Sequence, residues 1–116
     1  MEARAVSRYN RQSARKLRLV IDQIRGRGVG EAYAILQFSK KRAAEQIDKT
    51  LRSAVANARA KAEDTGDLVD VDDLIVKGAW VDEGPRLKRW RAAAMGRAAP
   101  ITRPTAHIVI VVDKKE

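Results

Sequence analysis

The chain has 116 residues, room for one domain with a modest core. It carries 24 Lys+Arg against 15 Asp+Glu, a formal net charge of +9, which points to nucleic acid or another acidic surface as partner. Cysteine is absent, which excludes disulfide frameworks and thiolate metal sites, and no apolar run approaches the ~20 residues that span a bilayer. No membrane partner is expected. The opening MEARAVSRYN lacks the apolar centre of a signal peptide, so the expectation is a soluble, intracellular chain.

In chain order, residues 2–9 alternate weakly, with Ala3, Ala5 and Ser7 against Arg4, Val6 and Arg8, and predict a short edge strand. Ser13 is placed to cap a helix, on which Leu17, Val20, Ile21 and Ile24 form one apolar face. Gly26-Arg27-Gly28-Val29-Gly30 ends that helix. A short second helix is predicted over 31–37, with Ala32, Ile35 and Leu36 inward. Ser39 is then read as the cap of a long third helix reaching about residue 62. Its stripe of Ala43, Ala44, Ile47, Leu51, Ala54, Val55 and Ala58 permits close approach to a neighbour. Residues 63–73 form an acidic turn region, and 74–81 and 106–112 read as strands. The expected fold class is α+β, a single domain over 1–116. Three helices pack on a small, mostly antiparallel three-stranded sheet, and a long β-hairpin protrudes from it.

The two strands are joined by residues 84–105, GPRLKRWRAAAMGRAAPITRPT, with six Arg/Lys, three Pro and two Gly but no acid. A connection this long is usually functional or disordered. With Leu87, Trp90, Met95 and Ile101 as its few large apolar residues, it builds no core of its own. Ordering each residue costs about 1–2 kcal/mol in backbone entropy, so an outside partner must supply the order. The charge makes that partner an anion. At ~3.3 Å per residue its arms would reach roughly 30 Å, which suits penetration into a large folded RNA. The Arg89-Trp90-Arg91 step joins cations to a ring that can stack on unpaired bases.

The charge also falls in blocks. Residues 1–62 hold 15 basic and 5 acidic side chains, 63–83 hold 1 against 8, and 84–116 hold 8 against 2. The expectation is that the acidic block faces away from the partner while two basic regions grip it. On a helix, Arg8, Arg11, Arg15 and Arg18 would form a stripe able to track phosphates, beside Lys16 and Arg25.

Other constellations read as ordinary structure. The glycines at 26–30 follow a helix, whereas a dinucleotide motif must follow a strand. A DNA-reading helix-turn-helix over 14–37 would leave Glu31, Ala32, Tyr33 and Ala34 on the reading helix, which lack base-reading chemistry. Asp67, Asp70, Asp72 and Asp73 lack the order of a Ca²⁺ loop and read as a solvated turn. His107 is the only histidine and has no triad or metal partners in view. It is expected to pack or hydrogen-bond, or to touch RNA beside the basic segment. A hydrolase built on His107 and the aspartates lacks a nucleophile. No catalytic residue, metal or cofactor is expected.

Several stretches resemble the large-subunit ribosomal protein family numbered twenty-two. They are SARKLRLV at 13–20 with Ile24-Arg25-Gly26, LRSAVANA at 51–58, VDEGPRLKR at 81–89, Met95-Gly96-Arg97-Ala98 and His107-Ile108. The match runs in order over nearly the whole chain. The resemblance implies a structural, non-enzymatic protein near the exit of the nascent-peptide tunnel. Its hairpin would enter large-subunit rRNA and line the tunnel wall, and the protein would support early subunit assembly. The implied partners are large-subunit rRNA, neighbouring large-subunit ribosomal proteins and the passing nascent peptide, with no homo-oligomer. The implied place is the ribosome, cytoplasmic or organellar. The RNA-binding residues would be Arg8, Arg11, Arg15, Lys16, Arg18, Arg25, Arg86, Lys88, Arg89, Trp90, Arg91, Arg97, Arg103 and His107. The tunnel-facing tip would be Ala92, Ala93, Ala94, Met95 and Gly96. The chain departs from the family where Pro-Arg-Ala is usual after Arg91 and Ala92-Ala93-Ala94 stands instead. It departs again at Arg103-Pro104, where the family often has paired basic residues. These departures predict a less charged tip.

Overall fold

The computed structural model describes residues 2–66, 70–92 and 94–114. Strand β1 (Ala3–Asn10) leads to α1 (Ala14–Ile21), α2 (Val29–Phe38) and α3 (Ala43–Thr65). Then come β2 (Leu74–Glu83), β3 (Leu87–Ala92), β4 (Ala98–Arg103) and β5 (Ala106–Lys114). The α+β reading holds. Three strands form one antiparallel sheet in the order β1-β5-β2, and β3 and β4 form a separate antiparallel ribbon.

β5 occupies the middle because its sequence can be buried. Ala106, Ile108, Ile110 and Val112 alternate inward and are fully buried. On β2, Leu74, Val76, Ala79 and Val81 are the inward set, with a register shift between Val76 and Gly78 that keeps the alternation facing the helices. α3 lies along β1 and β5, while α1 lies over β2. Small residues set the first contact, Ala54, Ala58 and Ala62 on the helix and Ala3 and Ala5 on the strand, all buried. Leu17, Ile21, Ile24, Ile47 and Leu51 fill the space between layers.

Both outer strands have their free edges covered by helix side chains or by the glycine turn. Along β1, Asn57 Nδ2 donates to the Arg4 carbonyl at 2.9 Å and Lys61 Nζ to the Glu2 carbonyl at 2.6 Å. Along β2, the Gly26 amide donates to the Val76 carbonyl at 2.9 Å, and the Val76 amide donates back to the Arg27 carbonyl at 2.8 Å. The next edge carbonyls of β2 are taken by Arg25, on Ala79, and by Arg18, on Val81. Unpaired strand edges invite intermolecular pairing, and these bonds remove the invitation.

Helix boundaries depart from the sequence expectation in three places. Ser13 does cap α1, accepting from the Lys16 amide at 3.3 Å, but the helix ends at Ile21, and Ile24 reaches the core from the turn that follows. α2 begins at Val29 behind Gly28, so the glycine run both ends one helix and opens the next. Ser39 caps the C-terminus of α2, and α3 starts at Ala43, after Arg42, without a side-chain cap. The Ser39 hydroxyl instead accepts the Lys41 amide, a local turn that competes with capping. α3 runs on to Thr65 and stops at Gly66, whose φ of 77° suits glycine.

The molecule measures 67 × 28 × 17 Å with a radius of gyration of 17.6 Å. A compact chain of this length would have about 13 Å. The excess belongs to the β3–β4 ribbon. Replacing Leu51, fully buried under the sheet, by Ala is expected to cost about 2–5 kcal/mol in urea unfolding while leaving the m-value unchanged.

Candidate nucleic-acid interface

The ribbon is formed by backbone pairing without a core beneath it. Its register runs from Leu87 opposite Arg103 to Ala92 opposite Ala98. Alternation then sorts its side chains into two faces. Leu87, Arg89 and Arg91 share one face with Arg103, Ile101 and Ala99, and the three apolar members there are half-buried. Lys88, Trp90 and Ala92 share the other with Thr102, Pro100 and Ala98. Trp90 stands directly opposite Pro100 and is 70% exposed. Pro100 is tolerated because a two-stranded ribbon consists only of edges.

The tip is a tight turn. Met95 and Gly96 both take left-handed backbone, φ 61° and 69°, and the Met95 side chain is almost wholly exposed. Ala92 closes β3 rather than lying in the loop, and Ala94 enters the turn. Ala93, the position of the missing arginine, lies outside the described residues.

The root is built around glycine. The Gly84 amide donates to the Thr105 carbonyl at 2.9 Å, and the buried Thr105 hydroxyl donates to the Pro85 carbonyl. A Cβ on Gly84 would lie 2.6 Å from the Thr105 hydroxyl and 3.2 Å from the His107 ring. His107 stands on β5 opposite Asp82, and its Nδ1 accepts the Tyr9 amide at 3.0 Å. Accepting that bond requires a bare Nδ1, hence the Nε2–H tautomer. The Tyr9 ring meets His107 edge-on at 5.0 Å, and Tyr9 itself has φ 58°. His107 thus ties the end of β1 to the root of the ribbon.

The expected helical stripe is not a stripe. Arg8 lies on β1 and Arg11 in the connection before α1, leaving Arg15, Lys16 and Arg18 on the helix. Arg18 donates to the Val81 carbonyl through Nε and Nη2, at 3.2 and 2.8 Å. Arg25 grips the Ala79 carbonyl the same way, at 2.9 and 2.6 Å, and its Nη1 pairs with Asp22 at 2.9 Å. These two guanidiniums are occupied by the fold. Arg15 joins Arg86 at a hollow beside the root, with Glu83 and Gly84. Arg11, Lys16 and Arg103 converge on a larger groove between α1 and the root.

Ion pairs separate the remaining cations. Arg27 pairs with Glu31, Lys49 with Glu45, Arg52 with Asp48, and Lys77 with Glu2 and Asp113. Arg52 also covers the Tyr33 ring at 5.2 Å; burial raises the Tyr33 phenol above its ordinary pKa despite that cation. By contrast Arg8, Arg11, Arg15, Lys16, Arg86, Lys88, Arg89, Arg91, Arg97 and Arg103 have no ion pair among the described residues. Lys41 and Arg42, which line the same groove as Arg11, were missed in the sequence reading. The run Lys40-Lys41-Arg42 was their signal. In the acidic turn, Asp70 caps the Asp72 amide at 3.1 Å, and Asp67 lies outside the described residues.

Residues 5–113 match the family described as Ribosomal protein L22p/L17e. The chain belongs to that family. It is 53% identical over 116 residues to the Large ribosomal subunit protein uL22 of Halothermothrix orenii, covering all of this chain and 98% of the relative. The protein of the same name from Bifidobacterium longum is 49% identical over the same shares, and that from Desulfitobacterium hafniense is 53% identical over 99% of this chain and 97% of its own. As an L22p/L17e member the chain is a structural ribosomal protein, not an enzyme. Its unpaired cations thus belong to a ribonucleoprotein component.

Gly84→Ala is expected to splay the ribbon root. Thr105 is buried and bonded to Pro85, so it cannot swing aside, and overpacking of this kind costs about 1–3 kcal/mol. Hydrogen exchange should quicken at residues 84–105 more than along the β1–β5 ladder.

Proposed function

We propose that this chain serves in the large ribosomal subunit, as its relatives' names state of them, by binding large-subunit rRNA through the β3–β4 ribbon and the unpaired cations around its root. The observation carrying this reading is a protruding ribbon whose Arg86, Lys88, Arg89, Arg91, Arg97 and Arg103 form no ion pair among the described residues. Leaving so many cations unneutralised raises self-repulsion, and phosphates relieve it.

In this reading Arg8, Arg11, Arg15 and Lys16 add contacts from the domain. Arg18 and Arg25 hold the β2 edge that carries the ribbon and reach RNA only with what their guanidiniums leave free. His107 orients the root. Trp90, exposed opposite Pro100, stacks on or wedges beside an unpaired base. The slim tip of Ala92, Ala93, Ala94, Met95 and Gly96 lines the nascent-peptide tunnel, where the passing peptide meets alanine and methionine rather than the family's usual arginine. Binding several rRNA segments with one rigid domain and one reaching arm also supports early subunit assembly. The protein acts as a single copy beside neighbouring ribosomal proteins.

The test is binding to large-subunit rRNA as a function of salt. R89A/R91A is expected to weaken binding and lower the salt slope by roughly 1 per arginine. Trp90→Ala is expected to cost about 1–3 kcal/mol with little change of slope. Salt-insensitive binding, or slopes unmoved by R89A/R91A, overturns the reading. Deleting residues 86–103 separates it from a duplex-DNA regulator, which would bind its duplex as well without them.

A further inference from the structure

Strand β1 breaks register with β5 near its end. Ser7 faces Ile108 and Asn10 faces Ala106, so Arg8 and Tyr9 together stand against the single residue His107. A bulge of this kind leaves its extra residue without a ladder partner. Here the Tyr9 amide finds one in a side chain, donating to His107 Nδ1 at 3.0 Å, while the Tyr9 ring meets the imidazole edge-on at 5.0 Å. Tyr9 holds left-handed backbone, φ 58°, which an aromatic residue keeps only where its surroundings impose it. The Cε1 and Nε2 atoms of the same ring lie against Gly84 at the ribbon root, where a Cβ would stand 3.2 Å from both. One half-buried imidazole thus joins a strained strand end to the root of the ribbon.

The groups around that imidazole carry both signs. Across the ladder on β2 stands Asp82, with Glu83 next in the strand. Arg8 precedes Tyr9 on β1, and Arg15 of α1 and Arg86 line the hollow at Glu83, Gly84 and Thr105. From this arrangement we infer that His107 is a proton-operated latch between β1 and the ribbon root. The neutral ring accepts through Nδ1 and holds Tyr9. A proton taken from solvent onto the Nδ1 lone pair makes both ring nitrogens donors, so the Tyr9 N–H then faces another N–H and the bond is lost. Directly opposed residues have Cβ atoms about 4.5–5.5 Å apart, which puts the Asp82 carboxylate within reach of the charged ring as its new partner. Histidine is the side chain that ordinarily changes charge between about pH 5 and 8. The sign follows from which form accepts: the latch is closed above the ring's titration and opens as pH falls through it. Release is local, because the buried Asn10 keeps its own bond to the Ala106 carbonyl at 3.3 Å. It frees Tyr9 and, through Gly84, the root that sets the ribbon's course. The device belongs to the free protein and does not depend on the RNA reading.

The experiment follows the full chain by NMR from about pH 8 to pH 5 at constant ionic strength, in wild type, H107N and D82N. Three signals are read: the His107 ring protons, the Tyr9 amide, and hydrogen exchange at residues 84–105 corrected for its intrinsic pH dependence. In wild type the Tyr9 amide is expected to lose its hydrogen-bonded shift at the same midpoint as the ring, with exchange at 84–105 quickening there. Asn offers a carbonyl oxygen in place of Nδ1 and does not titrate, so H107N is expected to keep the Tyr9 amide unchanged across the range. D82N is expected to move the midpoint to lower pH, since the charged ring loses its second partner. A ring that titrates while the Tyr9 amide stays still overturns the latch, as does a ring that does not titrate in this range. The same amide shift recurring in H107N assigns it to Asp82 or Glu83 and also overturns the latch. Should H107N lose the fold, the wild-type midpoints of ring and amide decide alone, and unequal values overturn it. An unmoved midpoint in D82N overturns the exchange of partners.

Discussion

The antiparallel ladder between β2 and β5 is the constraint from which the rest of the molecule follows. β5 is the strand that carries a full inward row of buried residues and is paired on both sides, with β1 and β2. Its pairing with β2 runs out to Glu83 opposite Ala106, and the next bond, from the Gly84 amide to the Thr105 carbonyl, prolongs the same two chain directions beyond the domain. The ribbon therefore inherits its course from the core sheet. A two-stranded hairpin alone is marginal in water, and this one is held at its root by a ladder whose inner face is buried under helices. The close approach at Gly84 and the His107–Tyr9 contact secure the junction where support from the core ends.

The same sheet divides the arginines into two occupations. With β5 in the middle, β1 and β2 expose edges, and the helices answer with long polar side chains. Asn57 and Lys61 take the carbonyls of Arg4 and Glu2, while Arg18 and Arg25 take those of Val81 and Ala79. Arginine suits this task because its planar fork directs two N–H groups at one carbonyl. Those cations stabilise the fold. Others are neutralised by carboxylates one helical turn away. Among the described residues, most of the cations that remain without an ion pair lie on the ribbon and around its root. The basic excess is thus concentrated on the surface that an RNA would meet, and it limits how tightly the free protein can order that surface.

The ribbon's two faces give this surface a chemical sense of direction. One face offers guanidiniums on aliphatic stems to phosphates, and the other offers an exposed indole beside a proline. A partner that surrounds the ribbon can satisfy both at once, as a folded RNA does with backbone and unpaired bases. The small, left-handed tip ends the charge and leaves a narrow apolar point.

Much of this was written in local pattern. The apolar face of α1, the small-residue stripe of α3 and the alternation in β5 all appear in sequence because each element buries one face only, and burial leaves a period. The acid-free run 84–105 raised the expectation of an anionic partner, and SARKLRLV with VDEGPRLKR announced the family. The ribbon's register left no such trace, since neither of its faces is buried and its pairing is handed on from Glu83 and Ala106. Ser39 had the chemistry of an N-cap but closes α2, a choice made by where α3 must start to lie along the sheet. Arg18 and Arg25 looked like any other surface arginine until β2 brought carbonyls within reach. Lys41 and Arg42 became part of a groove only once α1, α3 and β4 met. By itself the sequence determined the elements, the core residues, the charge and the kin of this protein, because those depend on neighbours along the chain. The tertiary structure alone decided which cations are bound by the fold and which stand free, because that depends on acids and carbonyls brought near from far along it.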